Sequence, residues 1–210
     1  MYNIHLLPAS FGDSILIEYG HGEKKYILID GGPYFNFETL ILSLKKVAPN
    51  LNTLELLVIT HIDIDHIDGI VLLLNQSTLP FMIKEVWYNG YEEMKQVNDD
   101  MMGVLQGEYI SVLIKQKKLA HNRSFDKKAV VVNDFNSLPV IELDGGMKLT
   151  LLGPNKDGLK NMYMKWDDEI KEIGDEEAVA KRLENDKRYD KPMDDMMGNL
   201  SVEELQNIKV

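Results

Sequence analysis

The decisive stretch is Leu54-Glu55-Leu56-Leu57-Val58-Ile59-Thr60-His61-Ile62-Asp63-Ile64-Asp65-His66-Ile67-Asp68-Gly69. Leu54 to Thr60 is a nearly continuous apolar run with a β-branched end, which suits a strand buried on both faces. The polar residues begin where that strand should end. Loops at the carboxyl ends of strands are where α/β sheets usually hold ligands. Ile62 and Ile64 alternate with the polar positions, so in an extended loop they would anchor downward while His61, Asp63 and Asp65 project the other way. Ile70 to Leu74 then reads as the start of a helix packed back onto the sheet.

His61, Asp63, Asp65 and His66 put four potential ligands within six residues. Imidazole and carboxylate donors suit zinc, manganese or iron. Asp65 and His66 are adjacent and therefore diverge, which can feed two metal positions a few ångströms apart. Such ions lower the pKa of a bound water, hold a substrate oxygen and stabilise a leaving group, giving hydrolysis without a protein nucleophile. An EF-hand-like calcium loop fails on pattern: the third carboxylate comes one residue late, and Ile fills positions that calcium loops keep polar. A purely structural helix cap needs no pair of histidines, although Asp68 is a candidate cap for the following turn. Without a cation, the clustered carboxylates would repel one another.

Upstream, Ile4–Leu7, Ser14–Tyr19 and Tyr26–Asp30 read as strands, the last two joined by a Gly20-to-Lys24 turn. Leu40, Ile41, Leu44 and Val47 share one helical face, with Asn36 as N-cap and Pro49-Asn50 as terminator. Downstream, Val86–Asn89 reads as a strand. Residues from about Tyr91 to Leu119 read as helical, best between Val104 and Leu119, and His121 to Asp126 as a loop. Ala129–Val132, Val140–Leu143 and Lys148–Leu152 are strand candidates, with an Asp144-Gly145-Gly146 turn. From about Lys160 the chain becomes dense in charge, with a thin apolar face of Met162, Trp166, Ile170 and Ile173. This order of elements predicts an α/β (α+β) fold with a mixed sheet.

The 210 residues, 44% of them hydrophobic, suit one domain with a sizeable core. A net charge of −11, from 34 acidic and 23 basic residues, argues against a sequence-reading DNA-binding module. It argues only weakly against a nucleic-acid substrate. The absence of cysteine excludes disulfide scaffolds, Cys-type zinc fingers and Cys nucleophiles. Neither a signal peptide nor a membrane-spanning run is visible, so no membrane association and a cytoplasmic location are expected.

Thr60-His61-x-Asp63-x-Asp65-His66-x-x-Gly69 after a hydrophobic strand resembles the metal motif of the metallo-β-lactamase superfamily. Asp63 replaces that motif's second His, as in the branch similar to the soluble domain of the competence protein ComEC. Gly12-Asp13-Ser14 before ILIEY, then ILIDGG, Val86-to-Gly90 and the GGMKLTLLGP stretch are similar to the same branch, over about residues 4 to 155. The resemblance implies an αββα sandwich and one or two zinc ions, with manganese or iron as alternatives. His61 would serve the first metal position with Asp63 as a partner, and Asp65 and His66 the second. Asp65 is the candidate catalytic residue, and Asp30 would orient the metal loop from behind. The implied activity is hydrolysis of phosphodiester or related ester bonds in a small molecule or nucleic acid, by a metal-activated water.

The family's later features, a strand bearing an Asp in a TGD-like motif and a further His, have no match from Gly153 onward. Residues 1–155 are therefore expected to form the N-terminal, metal-binding half of the fold, and residues 156–210 a charged, mostly helical extension. Either the chain is truncated, or it is a degenerate member with an incomplete site that acts in binding or assembly. A sandwich lacking its second sheet would expose apolar surface, which a homodimer could cover. Among the remaining histidines, His5 and His21 read as structural or surface residues. His121 sits where a further ligand of the first metal position could lie. Asp13 and Ser14 read as turn formers rather than reacting groups, and Trp87 and Trp166 as core.

Overall fold

A five-stranded mixed sheet forms the frame of the molecule in a computed structural model that describes residues 1–95, 105–164 and 173–190. Its strands are β1 (Tyr2–Leu6), β2 (Ile15–Tyr19), β3 (Lys25–Ile29), β5 (Leu56–Val58) and β7 (Val86–Trp87), in that spatial order. β1–β2 and β2–β3 pair antiparallel, whereas β3–β5 and β5–β7 pair in parallel. The intervening β4 (Thr53–Leu54) and β6 (Met82–Ile83) form a separate parallel pair.

One face of the sheet is covered by helices α1 (Phe37–Val47), α2 (Ile64–Asn75), α4 (Leu105–Gln116) and α6 (Glu176–Asn185). Leu28, Leu57, Leu40, Ile70, Leu73 and Ile110 are fully enclosed there. The short α3 (Tyr91–Lys95) and α5 (Lys156–Met164) complete the described helices besides two short 3-10 turns. On the other face, Ile27, Leu56 and Trp87 pack against Val130 and the inward side of the β8–β9 hairpin (Val140–Leu143 and Met147–Thr150). The hairpin's outward positions, Glu142, Lys148 and Thr150, are exposed. The layers are thus helices, mixed sheet and hairpin, an α/β architecture of the expected kind. The hairpin leaves part of the sheet open: Tyr2, Ile4 and Leu6 of edge strand β1 are 64%, 57% and 69% exposed.

Several elements depart from the sequence reading. The Leu54–Thr60 run splits between two sheets, with Glu55 at the break. Its carboxylate is buried and receives Lys25 Nζ at 3.0 Å and Lys84 Nζ at 2.8 Å. Ala129–Val132 is buried but forms no strand, because Asn89 occupies its backbone: Val130 N donates to Asn89 Oδ1 at 2.7 Å, and Asn89 Nδ2 donates to the Val130 carbonyl at 2.9 Å. Asn36 stands at the N-cap position of α1 without a capping bond, and its amide instead donates to the Pro8 carbonyl. The helix after the metal motif begins at Ile64 rather than Ile70.

The charged C-terminal stretch contributes to the main core. Leu159, Val179, Leu183 and Tyr189 are buried in it, and so is Ile173. Of the expected apolar face, Trp166 and Ile170 lie outside the described residues, and so does the Met162 side chain. Among the described residues no helix is long and apolar enough to cross a membrane.

Candidate metal centre

β5 delivers Thr60 and His61 to the carboxyl edge of the sheet, and the chain turns at once into α2. Asp63 takes the N-cap position in extended conformation, and its side chain makes no cap bond. Asp65 and His66 therefore belong to the first helical turn, not to a loop. This corrects the position of Ile64. Ile62 is buried as expected, but Ile64, the first helical residue, is turned outward and 53% exposed. Asp68 does not cap the helix. It is buried one turn further on and accepts the Tyr189 hydroxyl at 2.5 Å. Burial pushes its carboxyl pKa up, and the bond from Tyr189 opposes that rise.

Asp30, His61 and His66 each bring a ligand-type atom within 4.8 Å of the others. The three residues play different parts. Asp30 is 2% exposed and sits in left-handed backbone conformation (φ 55°) at the end of β3. Its Oδ1 accepts the Thr60 N–H at 2.9 Å, and its Oδ2 accepts the Thr60 hydroxyl at 2.5 Å and faces His66 Nδ1 at 3.1 Å. These bonds engage both carboxylate oxygens, so Asp30 holds the loop bearing the histidines from behind.

Counting protons then assigns both histidine tautomers. Thr60 gives its single hydroxyl hydrogen to Asp30, so its oxygen can only accept from His61 Nδ1, 2.8 Å away. His66 Nδ1 must likewise donate to Asp30. Both rings therefore carry hydrogen on Nδ1 and, when neutral, present a bare Nε2, with ring centroids 3.8 Å apart.

Carboxylates surround the two Nε2 atoms. His61 Nε2 lies 3.7 Å from Asp63 Oδ2, and His66 Nε2 lies 3.7 Å from Asp65 Oδ2 and 3.9 Å from Asp13 Oδ2. Among the described residues, the two histidines are the ionic partners of these acids, so whenever the rings are neutral the carboxylates have no cation there. A donor set of bare imidazole nitrogens and unbalanced carboxylates fits zinc, manganese or iron. The sequence reading had placed Asp13 in a turn. The geometry adds it to the set, because the loop bearing it is drawn onto α2. A Cβ on Gly12 would lie 1.7 Å from the Asp65 carbonyl oxygen, and Gly32 N donates to the Asp13 carbonyl at 3.0 Å. The only sequence signal for this was the glycine beside Asp13.

Ser14 donates to the Asp30 carbonyl at 3.1 Å and is structural. His121 is not brought to the cluster. Its Nε2 donates to the Tyr88 carbonyl at 2.8 Å and its Nδ1 faces Glu93 at 3.6 Å. Beside His61 opens a cleft of about 310 Å³, lined by Ile59, Thr60, Asn89, Gly153, Pro154 and Leu159.

The family model of the metallo-beta-lactamase superfamily matches residues 7–155, the span that carries every strand of the main sheet but β1, together with the centre and the hairpin. The chain belongs to the metallo-beta-lactamase superfamily. Membership points to metal-dependent hydrolysis and agrees with the donor set. No curated protein matches the chain.

Proposed function

We propose that the chain is a metal-dependent phosphodiester hydrolase of the ComEC-like branch. His61 and Asp63 would hold one zinc or manganese ion, and Asp65 and His66 a second. The supporting observation is the pair of bare Nε2 atoms fixed by Thr60 and Asp30 and faced by Asp63, Asp65 and Asp13. Ions held there would lower the pKa of water and offset the charge of the leaving oxygen. Asp65 would orient the attacking water at Oδ2, while Asp30 keeps His66 in the tautomer that ligation needs. The cleft beside His61 admits the substrate. Asp63 in place of a histidine resembles the ComEC-like, nuclease-like branch, and that resemblance favours the phosphodiester over the β-lactam reading.

Methyl p-nitrophenyl phosphate tests the proposal. Zinc- or manganese-loaded protein should release nitrophenolate, and Asp65→Ala should abolish the release. An inert loaded wild type would remove the hydrolase reading. A second role, in assembly as a homodimer, is favoured by Tyr2, Ile4 and Leu6 lying exposed on one face of an edge strand. Sedimentation as a monomer at high concentration would dismiss it.

A further inference from the structure

Three aromatic rings lie exposed in two neighbouring segments, Phe11 in the loop before β2 and Tyr34 and Phe35 in the 3-10 turn Tyr34–Asn36. Phe11 and Phe35 are 66% and 50% exposed with ring centroids 5.6 Å apart, and Tyr34 meets Phe35 edge-on at 5.7 Å. Phe11 and Phe35 meet at 52°, so they do not stack face to face on one another. Exposed aromatic clusters of this kind mark binding surfaces on otherwise polar exteriors.

The loops are held in place. Gly12 N donates to the Ala9 carbonyl at 2.9 Å, the Asn36 amide donates to the Pro8 carbonyl, and Gly31 N donates to the His66 carbonyl at 2.8 Å. Phe11 precedes the glycine seated on Asp65 and lies two residues from the Asp13 that faces His66. Phe11 thus shares its loop with a carboxylate that faces the centre, and that shared loop is the ground for assigning the aromatic cluster to one ester substituent of a phosphodiester held there.

We infer that Phe11, Tyr34 and Phe35 form a stacking subsite for the base of a single-nucleoside phosphodiester, an inference that rests on the hydrolase reading. Aromatic faces bind bases without requiring a particular sequence. A long nucleic acid is disfavoured, because it needs several cationic phosphate contacts. The chain instead carries a net charge of −11, and the exposed carboxylates of Asp13 and Asp63 stand at the rim.

The test is an NMR titration of the Phe11 and Phe35 ring resonances, run on metal-free and zinc-loaded protein. The probes are thymidine 5′-methyl phosphate, dimethyl phosphate, hexyl methyl phosphate and a long single-stranded oligothymidine. The thymidine diester should shift both rings even without metal and bind at least about tenfold more tightly than dimethyl phosphate. Phe11→Ala/Phe35→Ala should erase that preference, and Phe11→Leu/Phe35→Leu should not restore it. Equal binding of the hexyl diester, or rescue by leucine, would make the patch an alkyl or lipid-like site and overturn the inference. Tighter binding of the oligonucleotide would overturn the single-nucleoside assignment. Rings unmoved by any probe would remove the subsite altogether. Ring shifts without cleavage on metal loading would uphold the subsite while sinking the hydrolase reading, so the two failures are distinct.

Discussion

Asp30 Oδ2 lies 3.1 Å from His66 Nδ1, and the same carboxylate takes both the amide and the hydroxyl hydrogens of Thr60. One buried acid thereby sets the direction of both histidine rings. Asn tolerates the left-handed backbone at this position, but Asp30→Asn would turn an amide donor toward donors. It should weaken zinc affinity about 10–100-fold and lower stability by about 1–3 kcal/mol. Chelator competition and chemical denaturation measure the two effects.

The hydrogen-bond chain also fixes a spectroscopic outcome. In metal-free protein, the neutral forms of His61 and His66 should both be Nδ1–H tautomers, visible in long-range proton–nitrogen correlation spectra. Thr60→Val removes the acceptor for His61 and should return that ring alone to a tautomer mixture. A wild-type ring with hydrogen on Nε2 and none on Nδ1 would contradict the proton count.

Gly12 lets the Asp13 loop lie on α2 with no side chain between. Gly12→Ala would place a Cβ 1.7 Å from the Asp65 carbonyl oxygen, so backbone must move at the centre itself. The loop is at the surface, so the fold should survive while zinc affinity falls. Gly69→Ala, where a Cβ would meet the Gly31 carbonyl oxygen at 2.0 Å between buried elements, should instead cost stability, about 1–3 kcal/mol. Melting curves beside zinc titrations separate the two cases.

Tyr189 anchors the C-terminal segment by donating to Asp68 in the helix that starts at the metal loop. Tyr189→Phe leaves a buried carboxylate short of its donor and should cost about 1–3 kcal/mol. The sign of its pH dependence follows from the raised pKa of Asp68. Stability linked to that group is present below the ordinary carboxylate range and is lost as pH rises through the raised folded value. The lost bond had favoured the ionised form, so the deficit of Tyr189→Phe should grow from acid toward neutral pH. Denaturation at several pH values reads it directly, and a deficit largest in acid would reject the assignment.

The strands β2 and β3, the β8–β9 hairpin and the metal motif were legible because alternation, turn glycines and clustered ligands are local signals. The break at Glu55 was not. A run buried on both faces has no period, and the two lysines that balance the acid come from β3 and the β6–β7 connection. Asn89 standing in for a strand partner of Val130 is likewise invisible without the fold. Ile64 was misplaced because an extended-chain period was carried one residue into a helix. Asp13 reaches His66 only through tertiary packing of its loop. Tyr189 enters the core from a segment whose composition reads as surface.

Metal content per chain tests the central claim most directly, by elemental analysis of wild type and of Asp65→Ala/His66→Ala after zinc loading and desalting. The account predicts about two equivalents in the wild type, as in paired-metal hydrolytic sites, with most of that zinc lost from the variant. A wild type that retains no zinc, or a variant that retains as much as the wild type, would contradict it.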